Sequence, residues 1–170
     1  MILLLVGSDS YADNQEEISI KSAFMLKMTH FINWPEGSKV REENKSIFRL
    51  CLEHGHELSS TLTQWAKTGK IKNKTVEIKY ISTVSATADS CDILYITKKK
   101  FLHDFVAHSK DIDILTISDL AGGASSGSII NFIKIDDKVR FEINLEKGEN
   151  SGFKFSPRLL RLAKIVKGSQ

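Results

Sequence analysis

Between residues 138 and 145 every second side chain is apolar. Val139, Phe141, Ile143 and Leu145 alternate with Lys138, Arg140, Glu142 and Asn144. A period of two demands a strand with one buried face. Residues 129–135 form a second apolar run, and Asp136-Asp137 alone separates the two. Two residues suffice for a hairpin, although Asp-Asp is a weaker turn signal than Asn-Gly. Ser156-Pro157 comes later. Ser caps a helix N-terminus, and Pro fits the first helical position, where an N–H has no intrahelical partner anyway. Leu159, Leu162, Ala163 and Val166 then recur at i, i+3, i+4 and i+7, which predicts a final amphipathic helix.

Upstream, the spacing predicts a helix over 16–33 with the stripe Ile20, Phe24, Met28, Phe31 and Ile32. Trp34-Pro35 stops it, because the residue before Pro disfavours the helical region. Residues 36–46 are polar and predict a surface loop. A strand over 47–53 precedes a helix over 57–68, with Leu58, Leu62, Trp65 and Ala66 on one side and Gly69 at its end. Val76, Ile78 and Tyr80 alternate with Glu77 and Lys79 in a strand over 75–82. Residues 92–97 and 113–118 are short and mostly apolar, so both predict buried strands. The helix between them, over 98–109, carries Phe101, Leu102, Phe105 and Val106. Strands alternating with helices argue for βαβ units, right-handed crossovers and a parallel sheet covered on both faces. The expected fold is α/β: a Rossmann-like three-layer sandwich with a mostly parallel sheet and a C-terminal antiparallel hairpin at one edge. No repeat or linker interrupts the 170 residues, so one domain is expected.

The series GxIINF (127–132), VRFEIN (139–144) and SPRLLRLA (156–163) is similar to the end of the YfiR/HmsC-like family of small periplasmic proteins. Upstream, FINWP (31–35), FRLCLEHG (48–55), CDILYI (91–96) and ILTISD (114–119) resemble that family's pattern too. The resemblance covers about residues 15–166 and rests on order and spacing, because no single motif is catalytic. It implies a regulatory partner of an inner-membrane signalling protein, the best known being diguanylate cyclases.

The first residues, MILLLVGSDSYAD, read as a secretory signal over 1–12, with the single YfiR-like domain over 13–170. Ile2–Val6 supplies the apolar core and Ser10-Tyr11-Ala12 the small residues a signal peptidase needs. The basic start is missing and the apolar core is short, which points to a start codon further upstream. The alternative is a first β-strand. No other stretch approaches the ~20 apolar residues of a membrane span. Export to the periplasm changes the meaning of the two cysteines. Cys51 lies in the 47–53 strand and Cys91 opens the 92–97 strand. In an oxidising compartment these are disulfide candidates, closing a loop of about 40 residues worth roughly 4 kcal/mol in the chain-entropy model. The alternative is two buried free thiols. The resemblance favours the disulfide, since cysteines recur at these strand positions in YfiR-like sequences.

The formal charge of +3 is too slight, and the basic residues too dispersed, to imply nucleic acid. Gly123-Ala124-Ser125-Ser126-Gly127 matches G-x-S-x-G, but a strand rather than a helix follows. All five histidines (His30, His54, His56, His103, His108) precede the serine, against the chain order of that triad. Gly122 and Gly127 have P-loop spacing, yet Ser128 stands where the lysine belongs. The plain reading is a flexible surface loop. Its position after a parallel strand also makes Gly122, Gly123, Ser125, Ser126 and Gly127 candidates for contact with a ligand or partner. His54-Gly55-His56 supplies at most half a metal site, and no metal or cofactor is expected. Trp34 is a core residue or, if exposed, an interface anchor. Arg158 and Arg161 lie on the polar side of the predicted last helix, where an acidic partner could meet them.

No set of nucleophile, base and oxyanion donors assembles, so a non-enzymatic domain is expected. The resemblance implies a periplasmic regulator in cyclic di-GMP signalling and biofilm control. Such a regulator binds the periplasmic domain of an inner-membrane signalling protein, without inserting in the membrane itself, and a homodimer is compatible with that role. The alternative is a periplasmic small-ligand-binding protein feeding a sensor kinase or transporter. A deep polar cleft above the 113–118 strand would favour the ligand binder, and a flat apolar patch would favour a protein partner.

Overall fold

The computed structural model describes residues 8–42, 44–86, 90–108 and 113–168. The apolar core of the expected signal, Ile2–Val6, lies outside the described residues. In chain order the elements are α1 (Ser8–Met28), β1 (Ile32–Asn33), β2 (Ile47–Glu53), α2 (Leu58–Ala66), β3 (Lys70–Ile71) and β4 (Lys74–Ile81). Then follow β5 (Ile93–Ile96), α3 (Lys99–His108), β6 (Leu115–Ser118), β7 (Ile130–Ile135), β8 (Lys138–Asn144), α4 (Leu145–Asn150), β9 (Lys154–Phe155), α5 (Pro157–Leu160) and β10 (Lys164–Val166).

Eight strands make one sheet in the order β10-β8-β7-β6-β5-β2-β4-β3. From β4 through β2, β5 and β6 to β7 every pairing is parallel. The β7–β8 hairpin is antiparallel, with Phe132 opposite Phe141. Asp136 and Asp137 both take positive φ, 48° and 56°, as a two-residue turn matched to strand twist requires. The β3–β4 hairpin uses the same device at Lys72 and Asn73 (φ 52° and 63°).

Alternation along the strands divides the sheet into two faces. Phe48, Leu50 and Leu52 of β2, Ile93 and Tyr95 of β5, Ile117 of β6, and Val139, Phe141 and Ile143 of β8 face one core. α1 and α2 cover it with Ile18, Met25, Leu26, Leu58 and Leu62. Cys51, Leu94 and Ile96 face the other, under Leu102 and Phe105 of α3. This is a three-layer α/β sandwich with a mostly parallel sheet.

Two expected elements differ. The helix over 16–33 ends at Met28; a 3-10 turn, Thr29–Phe31, follows, and Ile32–Asn33 is a strand. The reason is tertiary: Ile32 pairs with Phe155, and Ser156 N–H donates to Phe31 C=O at 2.9 Å. The predicted last helix also stops early. Its start is as expected, with Ser156 Oγ accepting from Leu159 N–H at 3.2 Å and Pro157 in the first turn. It lasts one turn, and Lys164–Val166 then joins β8 in parallel, Ile165 opposite Ile143. A continued helix would forgo that ladder and the Lys164–Glu142 ion pair at 3.1 Å. The hairpin is therefore flanked by β10, which forms the edge of the sheet.

Candidate functional site

Cys51 and Cys91 are bonded to each other, with Cα atoms 5.6 Å apart, within the α3-side core. The interface role considered for Trp34 is corrected. Its side chain is 2% exposed, and its ring stands edge-on to Phe48 and Phe153 at centroid distances of 5.5 and 5.8 Å. Its indole N–H donates to Asp92 C=O at 3.4 Å. The residue before Pro35 follows β1, which pairs with β9, and its ring reaches Phe48 of β2.

The loop of 119–128 is compact and bonded within itself. Backbone bonds Gly123→Leu120, Ser126→Gly122, Gly127→Ala124 and Ser128→Gly123 wind it into successive turns. Gly123 is buried, and a Cβ there would stand 2.5 Å from Asn131 Oδ1. Asn131 explains the winding. Its Oδ1 accepts from Ser118 Oγ at 2.7 Å and from Leu120 N–H at 3.1 Å, and its Nδ2 donates to Leu120 C=O. Asn144 ties down the far side through Ala124 C=O at 2.8 Å. Ser125, Ser126 and Gly127 line an open cleft of about 480 Å³ with His103 and Val106 of α3 and Lys147 of α4. Gly122 and Ser126 are exposed.

A second polar cluster lies at the carboxyl ends of β2, β5 and β6, where open α/β sheets concentrate their sites. Tyr95 donates to Asp119 Oδ2 at 2.9 Å, and Lys21 reaches the same oxygen at 3.1 Å and Glu17 at 2.7 Å. Burial, then Asp119, hold the Tyr95 hydroxyl far above its ordinary range, so it stays protonated. Burial disfavours the Lys21 ammonium, but Glu17 and Asp119 outweigh that and raise it. Beside them, Glu53 accepts from Thr97 N–H and hydroxyl, both at 3.0 Å, and pairs with Lys98 at 2.5 Å. Burial would raise the Glu53 carboxyl, yet these bonds hold it below 4.5. Every charge here is matched within the protein, which makes the cluster a brace between strands.

His56 completes this cluster. Its ring packs edge-on against Tyr95 at 5.1 Å, and its Nδ1 accepts from Leu58 N–H at 3.1 Å, the start of α2. Burial depresses its pKa below 6.5; Asp119, Glu57 and Glu53 oppose that, and Lys21 adds to it. The folded state therefore disfavours the imidazolium, and the unfolded chain binds more protons. The stability that neutral His56 confers is present above pH 6.5 and is lost as the pH falls below it. Glu17 and Glu53, held below 4.5, give stability that is complete above pH 4.5 and is lost only as the pH falls below that. The melting temperature should fall on acidification below pH 6.5, and His56→Gln should flatten that part of the profile. An unchanged slope in His56→Gln would locate the titration elsewhere.

The exposed apolar side chains point to a different region. Leu162 is 68% exposed and Ile165 46%, within eight residues that also hold exposed Arg158 and Arg161. This segment ends in β10, whose outer edge has no neighbour in the sheet among the described residues. Two cations, two large apolar side chains and a short free strand edge form a surface suited to a protein partner.

The profile of the YfiR/HmsC-like family matches residues 18–164. The chain belongs to that family. YfiR/HmsC-like proteins are periplasmic regulators in cyclic di-GMP signalling, with a regulatory rather than a catalytic role. Among solved structures the chain is similar to a conserved domain protein from Vibrio cholerae O1 biovar El Tor. The TM-score is 0.55 at 9% identity, over 88% of this chain and 60% of that one, and the likeness concerns the fold alone. No curated protein matches the chain. Among the described residues no helix is long and apolar enough to cross a membrane, and no group of three or more His, Cys, Asp or Glu could hold a metal ion.

In this YfiR/HmsC-like chain, Arg158 and Arg161 are both on the surface, Trp34 belongs to the core, and the 122–127 loop is tied to Asn144, the register partner of Val166. Sequence reasoning missed Leu162 and Ile165 as surface residues because their spacing fits a helix. It also missed Glu53, Tyr95 and Asp119. Glu53 and Asp119 each directly follow an apolar strand run, and that position was the available signal.

Proposed function

We propose that this protein is an exported regulator that binds the periplasmic sensory domain of an inner-membrane diguanylate cyclase and holds it inactive. The observation that carries this reading is the family match over 18–164. The exposed segment Arg158, Arg161, Leu162 and Ile165 supports it, as a surface able to bind one state of a partner better than another. Deleting the gene should raise cyclic di-GMP and biofilm matrix, and restoring it should lower both. Unchanged cyclic di-GMP would reject the cyclase as partner.

The contact surface is tested separately on purified protein. Leu162→Asp combined with Arg158→Glu should weaken binding to the cyclase's periplasmic domain at least tenfold, about 1.4 kcal/mol, with a nearly unchanged melting temperature. Insertion of two residues within 122–127 probes the loop in the same assay. Full affinity in the double variant would place the interface elsewhere. The alternative, a small-ligand binder feeding a sensor kinase or transporter, draws on the 480 Å³ cleft beside the loop. Calorimetric binding of a periplasmic metabolite, abolished by Lys147→Ala, would support it over the regulator. Export itself predicts a mature N-terminus at or near Asp13, read by N-terminal sequencing of the cell-associated protein; an intact Met1 would refute it.

A further inference from the structure

A pocket of about 450 Å³ opens where β1, β9 and the β3–β4 turn meet, and no residue of 158–165 or of 122–127 lines it. Three cations line it: Arg41, Lys72 and Lys154. One carboxylate, Glu36, stands at its rim, largely in solvent and 4.0 Å from Arg41. Lys72 is the unusual member. It occupies the first central position of the two-residue turn, at φ 52°, so its Cα is fixed against the pocket. Its ammonium sits 5.8 Å from the centroid of the Trp34 ring.

Three other buried or partly buried lysines have partners for their ammonium groups. Lys21 has Glu17 and Asp119, Lys45 has Asp92 at 2.6 Å, and Lys74 donates to the carbonyls of Glu42 and Lys45. Lys72 is half-buried, and among the described residues its ammonium has an aromatic face but no carboxylate. Burial accordingly lowers its pKa with nothing opposing it. A cation held partly out of water without a counter-charge is unfavourable unless something supplies that charge. A ring face offsets part of the cost; an anion would remove the rest. Arg41 adds a planar fork suited to carboxylate or phosphate oxygens, and Lys154 adds a third positive charge. The pocket's volume is that of a small-molecule site.

We propose that this pocket binds the phosphate or carboxylate group of a small anionic ligand, with Lys72 and Arg41 as its charge partners and Lys154 at the mouth. The inference is independent of the regulator reading and does not require the cyclase.

Trp34 supplies the probe. The chain has two tryptophans, and only Trp34 lines the pocket, so Trp65 serves as internal control. Inorganic phosphate and succinate are titrated separately while the indole N–H resonances are followed by NMR. The expected result is a shift of the Trp34 signal that saturates at millimolar anion or below, with Trp65 unmoved. The Lys72 ammonium should titrate at higher pH once the anion is bound. Lys72→Met and Arg41→Gln should each raise the half-saturation concentration at least tenfold. Saturation by phosphate alone or by succinate alone would assign the ligand's head group. A shift linear in concentration and matched by chloride at equal ionic strength would overturn the site. So would saturation unchanged in both variants.

Discussion

Trp34→Ala is expected to cost about 3–5 kcal/mol, the range for deleting a buried Trp or Phe from a packed core. The indole fills the angle between Phe48 and Phe153 and donates to Asp92 C=O, so its removal leaves a cavity and takes away one of that carbonyl's two donors, Leu115 N–H remaining. Each kcal/mol moves the melting temperature by roughly 2–4 °C in a domain of this size, so the expected fall is about 6–20 °C. Trp34→Phe should lose less, because it keeps the ring contacts and forfeits the N–H. Thermal denaturation by circular dichroism measures both. A melting temperature within a degree or two of wild type would contradict the burial. With the expected fall in melting temperature, loss of partner binding in Trp34→Ala reports unfolding and not a lost contact.

Breaking the disulfide is the second large effect. Cys51 and Cys91 close a loop of 40 residues, which the chain-entropy model values at about 4 kcal/mol, and measured removals typically cost 2–5 kcal/mol. The bond also sits among Leu94, Ile96, Leu102 and Phe105, so a polar replacement would add a desolvation cost. The Cys51→Ala, Cys91→Ala double variant avoids that addition and should melt roughly 5–15 °C below the oxidised protein. Reductant should lower the wild-type melting temperature and leave the double variant unmoved. Thiol titration of the denatured, unreduced protein should find no free thiol. Two titratable thiols in material purified from the periplasm would sink the prediction.

Legibility in the sequence followed locality. β2 was readable to the residue, and β8 within one, because their patterns of side chains and turns are complete within a few positions. The Asp136-Asp137 turn and the Ser156-Pro157 cap were equally local. The site was less legible. Arg158 and Arg161 were readable as surface residues, but Leu162 and Ile165 occupy helical spacing and gave no sign of exposure. The Lys72 pocket was invisible, since it joins side chains from three separated segments.

The sequence by itself determined the types of the main strands and helices, the parallel character of the sheet, the hairpin and the family. Each of these depends on periodicity, turn chemistry or the order of motifs along the chain. Tertiary structure alone decided that residues 164–166 extend as β10, that Trp34 turns inward and that Lys72 stands over it without a carboxylate among the described residues. The stretch 159–166 satisfies a helix locally, but the ladder to β8 and the Lys164–Glu142 pair exist only once the sheet has formed. Where a short segment's intrinsic preference is worth a few tenths of a kcal/mol per residue, such non-local partners outweigh it.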